Sequence, residues 1–483
     1  DRSPSRGLGD VYKRQVYGPI AGAPNIFNVV NLDKSQKKTP KTGWHEQTQS
    51  FFYSLELGWK SQLFVTTTGR NDWASQLANS PQKSFFYPSV GVSWLPSSTF
   101  NFPEKFNYLK IRASWASVAN PFPRELTIAT HPYDDTISGW DDKSNYPIGQ
   151  LYPERTKTWE LGFDARFLNG FTLTASWYRA DTYNQTFNPN LSASSGYSDI
   201  YIQTGHVRNT GVEASLGYNH QWKNWNWNSQ FTFSWNKNKI IELCKEWYNP
   251  ITEETISMNR LQISKLGRAK FILKEGGSMG DLYSTTDLRR DDKGNIEIDE
   301  GGNVVVEDNL PDMKLGSVFP DYNLAWRNSV SWKNLNLGFL VTARIGGIVN
   351  SLTQANMDLF GVSEATAAAR DAGGALVNGR SLVNPETWYT AIASQGGIPQ
   401  YYTYSATNVR LQELSLGYTI PRKWLHNVCS ITVSFVGRNL WMMYCKAPFD
   451  PEAVASTNNF YQGMDYFMMP STRNLGFNIN IKF

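Results

Sequence analysis

The residue types that most often perform catalysis are sparse in this sequence and poorly arranged. The five histidines are scattered, and none stands in the HExxH or GxSxG pattern of a metalloprotease or a serine hydrolase. The three cysteines form no CxxC metal or redox motif. Asp291 and Asp292 lack the alternating oxygen ligands of a calcium loop, and we interpret Asp292–Asn295 as a hairpin turn. We therefore predict no catalytic site, no metal site and no cofactor.

Charged side chains occur instead at alternate positions of segments whose other positions are apolar. In TWELGFDARF, for example, Glu160, Asp164 and Arg166 alternate with Trp159 and Phe163. The candidates for a polar lining are Lys110, Arg112, Glu160, Asp164, Arg166, Glu213, Arg327, Arg344 and Arg438. Mixed charges of this kind could hydrogen-bond a hydrated solute or an inserted part of the protein. Taken singly, each residue could equally do no more than solvate a surface.

Aromatic residues also occur in the long segments between these alternating stretches. The candidates for contact with a substrate or a partner protein are Trp140, Trp388, Tyr401, Tyr402, Phe449 and Tyr461. Rings of this kind can stack on the faces of sugars, because they present a large apolar surface with a polar edge. They are equally suited to packing beneath a partner protein, so the sequence leaves both interpretations open.

Strict alternation indicates β-strands, because successive side chains of a strand point to opposite faces of its sheet. The C-terminal stretch NLGFNINIKF shows the pattern: Leu475, Phe477, Ile479 and Ile481 share one face, and polar residues take the other. Thirteen such strands are predicted, at 47–60, 61–71, 84–95, 107–118, 156–168, 170–182, 206–219, 224–238, 321–332, 333–345, 408–420, 429–440 and 472–483.

The connections between the predicted strands alternate between short and long. This arrangement puts all long loops at one end of an antiparallel up-and-down sheet, which is typical of a bacterial outer-membrane barrel. Trp59 and Trp94 lie near the ends of strands running one way, and Trp115, Trp177 and Trp235 near the ends of strands running the other way. Two aromatic belts are expected where such a wall meets both membrane interfaces. The sequence thus predicts an all-β transmembrane barrel in the bacterial outer membrane.

Composition narrows the classes further. Aromatic residues make up 14% of the 483 residues, and the formal net charge is only +4. No cluster of Lys and Arg recurs on one face, so we predict no nucleic-acid partner. No uncharged apolar run is long enough for a transmembrane helix. A non-pore surface protein that binds carbohydrate remains an alternative, because aromatic-rich strands would also suit its core.

Several segments resemble the SusC/RagA-type TonB-dependent transporters of Bacteroidota. They include GRNDWASQL (69–77), RTKTWELGFDARFLNG (155–170), TNVRLQELSLGYTIPRKWL (407–425) and VGRNLWMMYCKAPFDPEA (436–453). The resemblance runs in order from about residue 44 to residue 483. It implies a plugged barrel of about 22 strands, of which the thirteen predicted here would form the C-terminal part. A siderophore-type receptor of the same fold is a further alternative.

The resemblance also implies partners and a division of the chain. The expected partners are a SusD-like lipoprotein over the outer loops, TonB acting through a part that precedes this chain, an oligosaccharide or peptide substrate, and outer-membrane lipid. Residues 47–483 would form the barrel, and residues 16–46 the remnant of an extracellular loop. Residues 1–15, DRSPSRGLGDVYKRQ, do not resemble the family, and we interpret them as a non-native leader.

The last residues resemble the signal by which outer-membrane proteins are recognised by the barrel-assembly machinery. This signal would consist of Phe477, Ile479, Ile481 and the terminal Phe483. In an intact barrel the strand that carries it would close the wall against the first strand.

Overall fold

The computed structural model describes residues 18–20, 31–33, 45–78, 80–123, 126, 133–134, 139–140, 145–146, 151–188, 197, 199–203, 205–249, 253–426, 428–456 and 461–483. Residues 1–15 and most of residues 16–46 lie outside these residues.

Thirteen long strands form one antiparallel sheet in which each strand pairs with its neighbours in sequence. They are β1 (Thr48–Trp59), β2 (Leu63–Ala74), β3 (Ser84–Trp94), β4 (Phe106–Asn120), β5 (Glu154–Phe167), β6 (Phe171–Tyr183), β7 (His206–Gln221), β8 (Trp225–Glu242), β9 (Tyr322–Trp332), β10 (Leu335–Ile345), β11 (Asn408–Thr419), β12 (Ser430–Cys445) and β13 (Asn474–Lys482). Every strand predicted from the alternation is present. Within the described residues, β1 and β13 each have one neighbour in the sheet.

The pairing registers divide the sheet into an apolar face and a polar face. On the apolar face, Phe339 of β10 lies opposite Leu414, and Phe435 of β12 lies opposite Phe477. On the polar face, Asn323 of β9 lies opposite both Ser234 and Arg344. Because directly opposed residues point the same way, the alternation of each strand is propagated across the whole sheet.

One irregularity keeps the two faces consistent in β11. Leu340 of β10 lies opposite Glu413, whereas the next residue, Val341, lies opposite Leu411, so Gln412 is an extra residue in a β-bulge. The sequence shows the same interruption, because Leu411 and Leu414 are three positions apart. The bulge returns both leucines to the apolar face.

The connections alternate in length as predicted. Turns at 60–62, 168–170, 222–224 and 333–334 are short and lie at one end of the sheet, with the somewhat longer connections 95–105 and 420–429. At the other end, segments 243–321, 346–407 and 446–473 contain further structure. Three of the strands that run towards the long connections continue past the tryptophans that we placed near their ends. β4 runs five residues beyond Trp115, β6 six beyond Trp177 and β8 seven beyond Trp235.

The connections contain short strands and helices, and within the described residues all of the short strands lie in the long connections. The strands are Tyr133–Asp134, Gly139–Trp140, Asn145–Tyr146, Thr186–Phe187, Asp199–Ile200, Ile202–Gln203, Cys244–Asn249, Glu254–Met258, Arg260–Leu266, Ala269–Lys274, Asp281–Ser284, Asp287–Leu288, Val306–Glu307, Met313–Ser317, Ile348–Ser351, Ala375–Val377, Ser381–Val383, Thr403–Ser405 and Met464–Asp465. The α-helices are α1 (Pro96–Thr99), α2 (Leu352–Leu359), α3 (Glu364–Asp371), α4 (Pro385–Ala393) and α5 (Pro399–Tyr402). Short 3₁₀ turns lie at Ser75–Leu77, Ser394–Gly396 and Arg422–Leu425.

The three longer helices, α2, α3 and α4, begin at conventional capping residues. The side chains of Ser351 and Ser363 accept hydrogen bonds from backbone amides in the first turns of α2 and α3. Asn384 caps α4 in the same way, and Pro385 takes the first helical position. Each cap satisfies a donor that a helix start otherwise leaves unpaired.

The long connections have hydrophobic cores of their own. Phe271, Leu282 and Val318 of segment 243–321 are fully buried in a cluster that also includes Ile240, near the end of β8. A second cluster joins α2, α4 and α5 through Ala355, Ile392, Ala393, Ile398 and Tyr402. These connections therefore form a folded layer, which we call the loop layer, over one end of the sheet.

Candidate functional site

Five of the predicted lining residues lie together on the polar face of β4 and β5. Arg112 is central, with Nη1 at 2.9 Å from a carboxylate oxygen of Asp164 and Nε at 3.6 Å from Glu160. Lys110 lies opposite Asp164 across the two strands. The guanidinium of Arg166 lies 4.9 Å from the ring centre of Tyr108. The predicted grouping of charges on this face is therefore present, and its carboxylates are engaged by Arg112.

Gly162 makes room for the Arg112 side chain. It lies opposite Arg112, and a Cβ atom there would stand 2.9 Å from the guanidinium carbon. That distance is shorter than real Cβ contacts allow. The glycine in TWELGFDARF thus positions the ion pairs between β4 and β5.

A cavity of about 680 Å³ opens on the polar face. It brings together three predicted residues, Arg112, Glu213 and Arg344, with Glu452 from the segment after β12. Its other lining residues are mainly short polar side chains of β6 to β11. Small hydroxyl and amide groups beside separated charges of both signs are suited to a polar, hydrated ligand. Lys110, Arg166, Arg327 and Arg438 do not line this cavity.

Arg327 and Arg438 also point to the polar face. Arg327 of β9 lies opposite Gln230 and Leu340. Arg438 donates a hydrogen bond to Glu413 at 3.1 Å, but the Arg438 side chain is 66% exposed. These two residues follow the predicted facing without joining the cavity.

A buried ion cluster beside the cavity was missed in the sequence. Arg410 of β11 is 5% exposed and donates two hydrogen bonds, of 2.8 and 3.1 Å, to the carboxylate of Asp450. It also lies 3.3 Å from Glu452. Burial opposes ionisation of Asp450, but the hydrogen bonds from Arg410 outweigh it and keep the pKa of Asp450 below its usual value. The pairing folds the FDPE segment inward and places Glu452 at the cavity.

The spacing of the FDPE cluster explains why it was missed. Arg410 and Asp450 lie on different segments, 40 residues apart. Alternation placed Arg410 in a strand, but only the tertiary structure shows which loop residue reaches it. The FDPE segment was among those that resemble SusC/RagA-type transporters, and this resemblance was the only sign in the sequence that the segment matters.

The predicted aromatic residues of the loops have different surroundings. Trp388 and Tyr401 pack edge to face with ring centres 5.9 Å apart. Phe449 packs edge to face on Tyr404 at 5.6 Å. Tyr461 is 38% exposed and contacts Phe271. Trp140 lies in the short strand Gly139–Trp140, opposite Tyr133.

Tyr402 departs from the expectation of a contact residue. Its side chain is 2% exposed, and its hydroxyl donates a hydrogen bond of 2.9 Å to Asp358. Burial and the nearby Asp358 carboxylate raise its pKa well above the usual value, and the same two causes raise the pKa of Tyr404 to about 12. In this structure Tyr402 is a core residue of the loop layer, because α5 turns its ring inward.

The acidic pair that resembled a calcium loop forms a turn, as predicted. Asp291 accepts hydrogen bonds from the backbone amides of Lys293 and Asn295, at 2.9 and 2.8 Å. Asp299 makes the same type of turn with Asn303. Among the described residues no group of His, Cys, Asp and Glu side chains is placed to hold a metal ion.

An apolar face, a polar face and loops segregated by length together define a bacterial outer-membrane β-barrel wall. A family model described as "TonB dependent receptor-like, beta-barrel" matches residues 5–440. The chain belongs to this family. The apolar face is therefore the lipid-facing side of the wall and the polar face its lumen side, and the predicted outer-membrane location is confirmed. Among the described residues, no helix has both the length and the apolar character needed to cross a bilayer.

Similar proteins agree with the predicted SusC/RagA type. The chain is 27% identical to TonB-dependent receptor P3 of Formosa agariphila, over 98% of this chain and 50% of that protein. It is 22% identical to the TonB-dependent receptor SusC of Bacteroides thetaiotaomicron, over 78% of this chain and 38% of that protein. It is similar in fold to a chain of the RagAB peptide importer in the open-open state, with a TM-score of 0.70 and 19% sequence identity. The similarity covers 93% of this chain and 49% of that chain.

The chain spans about half the length of the curated relatives TonB-dependent receptor P3 and TonB-dependent receptor P26. The family match establishes this chain as part of a TonB-dependent receptor β-barrel.

Proposed function

We propose that this chain supplies the C-terminal wall and outer loops of a SusC/RagA-type importer that brings oligosaccharides, or alternatively peptides, across the outer membrane. TonB would supply the energy through a part of the protein that precedes this chain. Under this proposal residues 47–483 form part of the barrel. The wall lines the path of the substrate, and the outer loops surround its entrance.

The cavity on the lumen side carries this proposal. Its hydroxyl and amide side chains, with Arg112, Glu213 and Arg344 at separate positions, offer hydrogen bonds alongside the apolar surface of residues such as Phe233 and Leu324. Such a surface favours weak, replaceable contacts with a hydrated solute, which suits passage better than permanent binding. Oligosaccharides and peptides both offer the complementary donors and acceptors, and the aromatic residues of the loops favour sugars as the first candidate.

The loop layer supports a lipoprotein partner. Phe360, Val362, Leu376 and Leu382 are 74%, 69%, 65% and 62% exposed, although they belong to a folded layer. Leu376 and Leu382 lie opposite each other in one short hairpin. Exposed apolar side chains on a rigid base are typical of a protein-binding surface. We propose that a SusD-like lipoprotein covers these loops, with Trp388, Tyr401 and Tyr461 nearest the substrate or the partner.

A growth assay tests the function. A strain that lacks the full-length gene should lose growth on a defined set of oligosaccharides and regain it when the gene is restored. Loss of growth on peptides alone would select the peptide alternative. Loss of iron-chelate uptake, with growth on glycans and peptides unchanged, would contradict the proposal and indicate a siderophore-type receptor.

Two arginine variants test the role of the cavity. In the full-length protein Arg344→Gln should lower the rate of substrate uptake about ten-fold, the size expected for a lost charge-assisted contact. Arg327→Gln is the matched control, since it removes the same charge from the same side of the wall outside the cavity. Equal uptake by both variants at equal surface levels would remove the cavity from the path.

A further inference from the structure

Charged residues occur in only one region of the lipid-facing side. By the pairing registers of the thirteen described strands, outward-pointing Arg, Lys, Asp and Glu residues are confined to β5–β8, near the ends that lead into the long loops. They are Arg155, Lys157, Arg179, Asp181, Arg208, Lys237, Lys239 and Glu242. Six are cations and two are acids. We call the six cations with Asp181 the cationic patch.

The registers place these residues side by side. Lys157 lies opposite Asp181, Asp181 opposite Arg208, and Arg208 opposite Lys239, so one row crosses four adjacent strands. With neighbouring strands about 4.8 Å apart, the row is about 14 Å long. Arg179 and Lys237 lie in the next row towards the membrane centre, on either side of Thr210.

Asp181 organises the arginines of the patch. Its carboxylate lies 2.9 Å from Nε of Arg179, 2.7 Å from Nε of Arg208 and 2.6 Å from Nε2 of His206. The Asp181 side chain is 10% exposed, whereas those of Arg179 and Arg208 are 42% and 29% exposed. Each arginine thus uses one donor to hold its position and presents others to the membrane side.

Within the part of the chain that the structure describes, the lysines of the patch have no acidic partner. Within the described part of the chain, Lys157, Lys237 and Lys239 form no ion pair, and Lys237 and Lys239 are exposed. The ammonium of Lys157 lies 5.3 Å from the ring centre of Tyr183. Asp181 neutralises at most one charge, and Glu242 ends β8 opposite His206, beyond the row of cations. The patch therefore keeps a clear positive charge.

The tryptophans next to the cationic patch indicate where the patch lies relative to the membrane. Trp177 and Trp235 lie in the row immediately towards the membrane centre, on either side of Val212, and Trp159 lies opposite Arg179. Trp159 is 57% exposed on the lipid-facing side. Because such tryptophans mark the interface, the patch lies at the level of the lipid headgroups, on the side of the long extracellular loops.

We propose that the cationic patch binds the phosphate groups of an outer-leaflet glycolipid, of the lipid A type. Arginine forks held by Asp181 can donate paired hydrogen bonds to phosphate oxygens, and the lysines add unshielded charge. The sugar and acyl parts of such a lipid would lie along the belt of Trp159, Trp177 and Trp235. This inference uses the orientation of the wall and is independent of the substrate proposed above.

Binding of lipid A to the full-length protein in phosphatidylcholine nanodiscs tests the inference. The variant Lys157→Gln, Lys237→Gln, Lys239→Gln should bind lipid A at least about ten-fold more weakly, because each cation near an anionic lipid surface contributes a factor of about five. The three corresponding Lys→Arg substitutions should preserve binding. Growth on the transported substrate, measured in parallel, keeps a failure of this inference separate from a failure of the transport proposal.

The matched control removes three lysines from the opposite rim. Lys60, Lys223 and Lys333 are exposed in short turns, and their replacement by Gln should leave lipid A binding unchanged. Heat-modifiable gel migration confirms that each variant is folded. Equal weakening by both triple variants would overturn the inference. So would full displacement by inorganic phosphate, or a patch variant that binds lipid A normally but loses its partner lipoprotein.

Discussion

Arg410 is the residue whose loss should most disturb the entrance of the cavity. In the full-length protein, Arg410→Lys replaces a two-pronged contact with Asp450 by a single ammonium, and Asp450 stays buried. We expect the FDPE segment to lose about 2 kcal/mol of local stability, as for the loss of one hydrogen bond to a charged group. Hydrogen–deuterium exchange of residues 446–456 measures this loss.

Arg438→Lys is the control for that experiment. It changes the same functional group in the same part of the wall, but Arg438 is largely exposed and has a single carboxylate partner. An exposed pair contributes less than about 1 kcal/mol, so exchange of residues 446–456 should stay as in the parent protein. Similar exchange in the two variants would show that Arg410 does not hold the segment.

Asp312 makes part of the loop layer sensitive to acid. Hydrogen bonding from Arg260, assisted by Lys274, lowers its pKa to about 2 against the opposing effect of burial. The unfolded carboxyl has a pKa of about 3.9, so the stabilisation is complete above that pH and is lost as the pH falls towards 2. We expect pepsin to cleave segment 243–321 much faster at about pH 2 than at about pH 4.5.

The variant Asp312→Asn tests the assignment of this acid sensitivity. It removes the titrating carboxylate, so the segment should be cleaved readily at both values and the pH-dependent difference should shrink. If the cleavage rate depends on pH equally in the parent protein and in the variant, the acid sensitivity belongs to other residues.

At the scale of elements, the strands could be predicted because their pattern has a strong physical cause. Each strand lies between lipid and water, so a slip by one residue would expose its whole apolar set to the lumen. Even β11, with its bulge at Gln412, was recognisable, since Leu414 and Leu416 resume the alternation. The facing of Arg112, Glu213 and Arg344 followed directly from the same pattern.

The loop layer could not be predicted in this way, because its residues pack on one another without a shared period. Tyr402 looked like an exposed ring, and only the packing of α5 shows that it is buried. The sequence also underestimated the length of β8, which continues four residues beyond its predicted end at residue 238, whereas β6 ends within one residue of its predicted end.

Adjacent residues of β10 allow a direct test of the two faces. In the full-length protein, Val341→Arg puts a charge on the lipid-facing side near the middle of the strand, at a cost of about 2–4 kcal/mol. Leu340→Arg puts the same charge on the lumen side, between Arg327 of β9 and Glu413 of β11. We expect far less folded protein in the membrane for Val341→Arg, measured by heat-modifiable migration. The reverse order would contradict the assignment of the faces.

The terminal strand has its own prediction. Phe477, Ile479 and Ile481 point to the lipid-facing side with Phe435 and Val433 of β12, and Phe483 follows the last paired residue. Deleting Phe483 from the full-length protein should reduce the amount assembled in the outer membrane several-fold, because a terminal aromatic would no longer be offered to the assembly machinery. Phe483→Tyr keeps an aromatic ring and should assemble normally. Unchanged surface levels after the deletion would contradict the assembly role.

For the whole molecule, the unequal loops fix its orientation. An epitope inserted at Gly294 or Gly302, in exposed turns of segment 243–321, should be accessible to antibody on intact cells. The same epitope at Lys333, in the short turn between β9 and β10, should become accessible only after the outer membrane is permeabilised. Labelling of the Lys333 insertion on intact cells would invert the proposed topology.

The shared core of the loop layer limits how this surface can diversify. Leu288 and Val304, from the connection after β8, pack in the same cluster as Ala355 and Ile398, from the connection after β10. Asn378 also exchanges two hydrogen bonds with the backbone of Ile296 across the two segments. Transplanting one connection from a relative would leave half of this core facing a foreign surface. Changes of specificity among related proteins should therefore be inherited as a block, with both connections exchanged together.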